Sequence, residues 1–164
     1  MIRFLFMDVD GTLTDGKIYI GKNDEIFKAF NVKDGYAIKN SLLQVNIIPV
    51  VITARISEIV TNRCQELGIK EVYQGINDKK EQMDKILKKF SILENKEYDY
   101  SSIAYIGDDI LDLQCMFPIK EAGGYVGCPK NSCKEVIQIA DFISIYNGGD
   151  GAVREFIEWI IALN

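Results

Sequence analysis

Six short apolar runs alternate with helix-patterned segments along the chain, and that alternation restricts the fold more than any other feature. The runs are Ile2 to Val9, Ile47 to Ile52, Glu71-Val72-Tyr73, Ile103 to Ile106, Tyr125-Val126 and Phe142 to Ile145. Between them, Ile56, Ile59, Val60, Cys64 and Leu67 share one helical face, with Gly68 placed to end the helix. Met83, Ile86, Leu87 and Phe90 repeat the spacing, and Val153, Phe156, Ile157, Ile160 and Ile161 do so again. Strands alternating with helices call for right-handed βαβ units and a parallel sheet. Near-continuous apolar strands suit a sheet buried on both faces. Pro49 is expected at the start of its strand, because proline cannot donate to a central ladder. The expected fold class is α/β.

Two segments break the alternation. Residues 17 to 30 read as a β-hairpin with its turn at Gly21 to Asp24, where an α/β fold would ordinarily place a helix. Residues 91 to 101 are polar and read as an exposed loop. No repeat, second domain or inserted helical module is visible, and 164 residues suit one domain spanning 1–164.

Composition removes whole classes of chemistry. The chain contains no histidine, which excludes a Ser-His-Asp triad, a Cys-His pair, His-ligated zinc and imidazole acid–base catalysis. Cys64, Cys115, Cys128 and Cys133 form no C-x-x-C pair, so a zinc ribbon or dithiol redox centre is not expected. The net charge of −5 argues against a nucleic-acid partner. No apolar stretch is long enough for a membrane span and nothing at the N-terminus reads as a signal peptide, so reduced thiols in a cytoplasmic protein are expected. Catalysis must come from carboxylates, lysine, arginine, hydroxyls, thiols or a hard metal ion.

Four strand ends supply such groups. They are Asp8-Val9-Asp10-Gly11-Thr12, Thr53-Ala54-Arg55, Asp78-Lys79, and Gly107-Asp108-Asp109 with Asp112 one helical turn on. In a parallel α/β sheet all four fall at the carboxyl edge, where such folds bind ligands. Asp8, Asp10 and Asp108 brought together would repel one another, and oxygen-only ligands suit Mg²⁺, which relieves the repulsion. A metal, the Lys79 ammonium and the Thr53 hydroxyl around one carboxylate make a receptor for a phosphoryl group, whose transfer depends on positioning and charge stabilisation. Asp8 could attack phosphorus as a nucleophile, and Asp10 could protonate the leaving oxygen and later activate water. Gly11 lets the chain turn tightly beside the anion.

The D-x-D-G-T run, the strand-end Thr, the Lys and the G-D-D run resemble, in order, the four motifs of the haloacid dehalogenase superfamily of aspartate-nucleophile phosphatases. The resemblance implies a Rossmann-like parallel sheet flanked by helices. It implies Asp8 as nucleophile, Asp10 as acid–base, Thr53 and Lys79 as phosphoryl ligands, and Mg²⁺ held by Asp8, the Asp10 carbonyl and Asp108. A narrower resemblance spans nearly the whole chain. It rests on Leu13-Thr14-Asp15-Gly16, Phe30 with Asp34-Gly35, Ser57-Glu58-Ile59-Val60 leading to Arg63, Tyr73-Gln74-Gly75 with Asp78-Lys79, and Gly148-Gly149 with Gly151-Ala152-Val153-Arg154-Glu155. These features are similar to the 3-deoxy-D-manno-octulosonate 8-phosphate phosphatase family, whose relatives act on nine-carbon sialic-acid-type phosphates. The family implies a small cap-less homotetramer whose hairpin packs against neighbours, acting on a phosphorylated sugar acid of lipopolysaccharide precursor synthesis. The chain departs from the family at Ala54, where a glycine is usual. Arg55 fits the eight-carbon branch and could clamp a sugar-acid carboxylate, with Lys33 and Arg63 as weaker candidates.

Plainer roles stand beside these. Thr53 could cap the helix beginning near Ile56. One of Lys79 and Lys80 is an ordinary solvated charge. Asp109 either supports a metal ligand from behind or caps a helix, and Asp112 is an orienting group rather than a direct ligand. Gly148 to Gly151 lacks the Lys-Ser/Thr of a phosphate loop and suits an architectural role. A phospho-receiver signalling domain also combines Asp, Thr, Lys and Mg²⁺, but its phosphoacceptor follows a mid-sheet strand. A silent assembly module would not need Asp8, Asp10, Lys79 and Asp108 together.

Overall fold

The computed structural model describes residues 1–22 and 24–163. Strand β1 (Phe4–Met7) is followed by a hairpin of β2 (Tyr19–Ile20) and β3 (Glu25–Phe27), then by α1 (Val32–Tyr36), which runs through a π turn into α2 (Leu42–Gln44). Then come β4 (Ile48–Ile52), α3 (Glu58–Leu67), β5 (Glu71–Tyr73), α4 (Lys79–Glu94), β6 (Ile103–Ile106), α5 (Leu113–Glu121), β7 (Tyr125–Cys128), α6 (Lys134–Ile139), β8 (Phe142–Ile143) and α7 (Ala152–Leu163). Six strands form one parallel sheet in the order β5-β4-β1-β6-β7-β8. The chain is thus α/β with helices on both faces. Among the described residues, no helix is long and apolar enough to cross a membrane.

β1 lies near the middle and is buried throughout. Leu5 and Met7 pack on one side with Val60, Val153, Phe156 and Ile160, while Phe4 and Phe6 pack on the other with Met83, Ile86, Met116 and Ile119. The period-2 alternation therefore survives inside a continuous apolar run, feeding two cores. Each such side chain removed from water contributes about 1.5–3 kcal/mol.

Pro49 sits second in β4, between β1 and β5, rather than first. The Ile48 N–H donates to the Arg3 carbonyl on the β1 side, so the next residue's nitrogen faces the other way. There β5 has not begun, since its pairing starts at Val50 with Glu71. No ladder bond is lost.

Other expectations need correction. Ile56 does not join the α3 stripe; it precedes the helix and is 80% exposed. The cap of α3 is Ser57, not Thr53, and the helix ends at left-handed Gly68 as expected. The segment 91 to 101 is not wholly loop: α4 continues to Glu94 and stops at left-handed Asn95. Its polar residues are the solvent face of a helix anchored by Met83, Ile86 and Leu87. Helices α1 and α2 escape the periodicity because the π turn at Ala37–Ser41 breaks the apolar spacing. The hairpin occupies the expected segment, and a bridge between Thr14 and Phe30 closes its base. Asn23, within its expected turn, lies outside the described residues.

Candidate active site

At the carboxyl end of β1 the chain folds into a tight loop. The N–H groups of Thr12, Leu13 and Thr14 all point to the Val9 carbonyl, at 3.2, 2.9 and 3.0 Å. Gly11 has φ +92°, and a Cβ there would stand 2.1 Å from Asp108 Oδ2, so both the conformation and the space demand glycine. Thr12 donates its hydroxyl to Asp108 Oδ1 at 2.9 Å. The loops after β1 and β6 are thereby locked together.

Carboxylate oxygens of Asp8, Asp108 and Asp112 lie within 4.8 Å of one another. Burial, reinforced by the Asp112 charge, raises Asp8 above the ordinary carboxylate range against the pull of Lys79. Burial first, then the Asp8 and Asp112 charges, push Asp108 up to about 7. Three acids held this closely, with only oxygen donors, fit a hard divalent cation.

Lys79 opens α4 from within this cluster. Its side chain is 2% exposed, with Nζ 3.0 Å from Asp8 Oδ1 and 2.7 Å from Asp112 Oδ1. Burial alone would depress it, but the Asp112 and Asp8 charges hold the ammonium above lysine's ordinary value. Lys80 points to solvent and pairs with Asp84, so Lys79 is the lysine at the cluster. Asp112 organises rather than reaches out. Its Oδ1 accepts from Lys79 and from Tyr105 Oη at 2.7 Å, while its Oδ2 accepts from the Asp108 and Asp109 N–H groups at 2.9 and 3.1 Å. Asp109 is exposed and caps the short turn that follows.

Thr53 is buried at the end of β4, donating its N–H to the Tyr73 carbonyl and accepting from the Ile76 N–H, both at 3.0 Å. Among the described residues the positive-φ non-glycine residues are Asn46 and Asn95, so Ala54 has no left-handed backbone and stands without strain where the family it resembles has glycine. Arg55 is half exposed at the mouth, with Nε 3.9 Å from Asp10 Oδ2 and Nη2 4.0 Å from Glu25 Oε1. Arg63 stands apart: it pairs with Glu66 at 2.8 Å and covers the Phe30 ring. Asp10 meets a group that the motifs do not include, the Lys28 ammonium of the hairpin. Lys28 also lies 2.8 Å from Glu25 Oε1, an ion pair poorly aligned as a hydrogen bond. Burial opposes its charge, yet Asp10 and Glu25 hold Lys28 above its ordinary value. Glu25 Oε2 accepts from Ser57 Oγ at 2.7 Å.

Gly148 and Gly149 complete the site from behind. The Gly149 N–H donates to the Thr12 carbonyl at 3.1 Å, and the Gly148 N–H to Asn131 Oδ1 at 3.0 Å. This loop supports the β1 loop, and both of these N–H groups are taken up by the protein itself.

Comparison with known proteins agrees with this geometry. The chain is 39% identical over 160 residues to the 3-deoxy-D-manno-octulosonate 8-phosphate phosphatase KdsC of Salmonella typhi, covering 98% of this chain and 79% of the relative. The chain belongs to the 3-deoxy-D-manno-octulosonate 8-phosphate phosphatase family. The Escherichia coli K12 member of that family is 38% identical over the same share of both chains. A Moraxella catarrhalis phosphatase of the same name, solved with magnesium, phosphate and the sugar acid, superposes with a TM-score of 0.86 at 37% identity, covering 98% of this chain and 86% of that one. The cobalt-bound Haemophilus influenzae phosphatase gives 0.87 at 32% identity, covering 98% and 88%. A scan against protein-family models finds no match.

Proposed function

We propose that this chain is a Mg²⁺-dependent phosphatase that hydrolyses 3-deoxy-D-manno-octulosonate 8-phosphate to the free sugar acid and phosphate. The observation that carries the reading is the buried carboxylate cluster bridged by Lys79, at the carboxyl edge of the sheet, in a member of this family. Asp8, Asp108 and the Asp10 backbone carbonyl would hold the ion. When bound, Mg²⁺ offsets the crowded negative charge and polarises the phosphoryl oxygens.

The chain's own groups then divide the work. Asp8 bonds to phosphorus as the ester bond breaks, giving an aspartyl-phosphate. Asp10 delivers a proton to the departing sugar oxygen and later takes one from the attacking water. Lys79 and Thr53 hold the phosphoryl oxygens, while Asp112 fixes both Lys79 and the loop that presents Asp108. Arg55 at the mouth takes the sugar-acid carboxylate, with Ala54 leaving room beside it. Arg63 serves Phe30 and Glu66 within its own chain. In this reading the enzyme is a single-domain cytoplasmic homotetramer, and the exposed Ile20, Ile26 and Phe27 of the hairpin supply apolar surface for neighbouring copies.

Steady-state rates on the eight-carbon 8-phosphate and on a nine-carbon keto-deoxy sugar acid 9-phosphate test the assignment. Preference for the eight-carbon ester is expected, whereas turnover of simple aryl phosphates alone would overturn it. A receiver domain would not turn over at all without a phosphodonor partner.

A further inference from the structure

The hairpin inverts the usual surface pattern. Ile26 and Phe27 are 61% and 47% exposed, while the side chain of Lys28, the next residue, is 1% exposed. Burying an ammonium costs several kcal/mol unless it is well paired. Here the partners are Asp10 Oδ1 and Glu25 Oε1, and Glu25 is itself fastened to Ser57 at the start of α3. Asp8 and Asp112 share the Lys79 charge, whereas the cations near Asp10 are Lys28, which is buried, and Arg55, which is half exposed and more distant.

We infer that Lys28 is a positioning residue for the Asp10 carboxylate, an inference that rests on the acid–base role proposed above. A carboxylate at the end of a short side chain turns easily about its last torsion. The ammonium on Oδ1 fixes the carboxyl plane and leaves Oδ2 as the oxygen facing the substrate. In the first displacement an Asp8 oxygen bonds to phosphorus, the ester electron pair leaves on the sugar oxygen, and the Oδ2 proton moves to that oxygen. In the second, water oxygen bonds to phosphorus, its proton returns to Oδ2, and the Asp8–phosphorus bond breaks. Lys28 neither gives nor takes a proton. Because Lys28 and Glu25 both sit on the hairpin, seating that hairpin against Ser57 and orienting Asp10 are one event.

The test measures kcat/KM for magnesium-loaded wild type, Lys28→Met and Asp10→Asn on aryl and alkyl phosphates of increasing leaving-group pKa, from p-nitrophenyl phosphate to the sugar phosphate. This constant ends at leaving-group departure and so reports proton donation. Lys28→Met is expected to lose least on p-nitrophenyl phosphate and about tenfold or more beyond that on the sugar phosphate, steepening the dependence. A uniform loss across the series, as from a general structural defect, or no loss, overturns the inference. If Lys28→Met does not fold, Lys28→Gln is read by the same slope: steepening supports the inference, and a uniform loss or none overturns it. An Asp10→Asn slope equal to wild type sinks the acid–base reading itself. A steep Asp10→Asn slope beside an unchanged Lys28→Met slope sinks only the role of Lys28.

Discussion

Replacing Gly148 with alanine tests how tightly the nucleophile loop is braced. A methyl on Gly148 would stand 1.7 Å from the Gly11 carbonyl oxygen, 2.5 Å from its carbon and 3.0 Å from the Thr14 carbonyl oxygen. Ordinary carbon–oxygen contact needs about 3.3 Å, so the two backbones must part by roughly 1.5 Å. Neither gives easily, because the Gly148 N–H is held by Asn131 and the next N–H by Thr12. The displaced Gly11 lies between Asp10 and Thr12, whose hydroxyl holds Asp108. Overpacking of this kind costs about 1–3 kcal/mol, which lowers the melting temperature by about 2–4 °C per kcal/mol in a chain of this size. A misplacement of about 1 Å in a catalytic group costs about 100-fold in rate. The assay pairs thermal melting with kcat/KM on the sugar phosphate. Gly68→Ala is the control: nothing lies within 4 Å of its added methyl, so only the left-handed φ of +74° opposes it, at about 1–2 kcal/mol, with activity kept. A Gly148→Ala enzyme within threefold of wild type and equally heat-stable would refute the bracing argument.

Three further outcomes follow from the same geometry. Asp8→Asn should abolish turnover, yet at pH 8 without metal it should melt higher than wild type, since a buried carboxylate with a raised pKa costs stability wherever it is ionised; differential scanning calorimetry reads this. Lys79→Met leaves the Asp8 and Asp112 carboxylates without their shared cation, so urea unfolding of the metal-free variant should show a loss of about 3–5 kcal/mol, with kcat down by about 100-fold or more. Burial raises Asp34 from 3.8 to about 6, against the pull of the Arg154 N–H that its Oδ1 accepts from at 2.7 Å. The folded state therefore holds this proton more tightly than the unfolded state, and the resulting stability is complete below about pH 4 and lost as pH rises through about 6. At about 1.36 kcal/mol per pKa unit, that is about 3 kcal/mol, and Asp34→Asn should lack this slope when urea unfolding is repeated from pH 4 to 7.

The strand ends are legible in the sequence because carboxylate, hydroxyl and ammonium groups recur at four places where a parallel sheet must end. Asp8, Thr53, Lys79 and Asp108 need only the topology to bring them to one edge. Gly68 announces a helix end because a left-handed residue is costly for other side chains. Less is readable where tertiary contacts overrule local pattern. Ile56 has the right spacing for α3 but precedes its cap. The π turn at Ala37–Ser41 shifts the apolar face, so α1 and α2 lack a period to detect. Lys28 carries no signal as a lone lysine on an alternating hairpin; its meaning comes from Asp10, 18 positions earlier. The concentration of acids after β1 and β6, which requires counter-charge, is the clue that points toward such a lysine. Arg63 is harder to read from both sides, since its family spacing suggests substrate while within one chain its contacts are with Glu66 and Phe30.

The central claim is that the Asp8 carboxylate becomes covalently bonded to phosphorus. Magnesium-loaded enzyme can be acid-quenched during turnover of the sugar phosphate, treated with borohydride to reduce any acyl phosphate, digested and mapped by mass spectrometry. Homoserine at position 8, lost in an Asp8→Asn control, is the predicted result. Unmodified aspartate at position 8 with brisk turnover, or reduction at another aspartate, would contradict it.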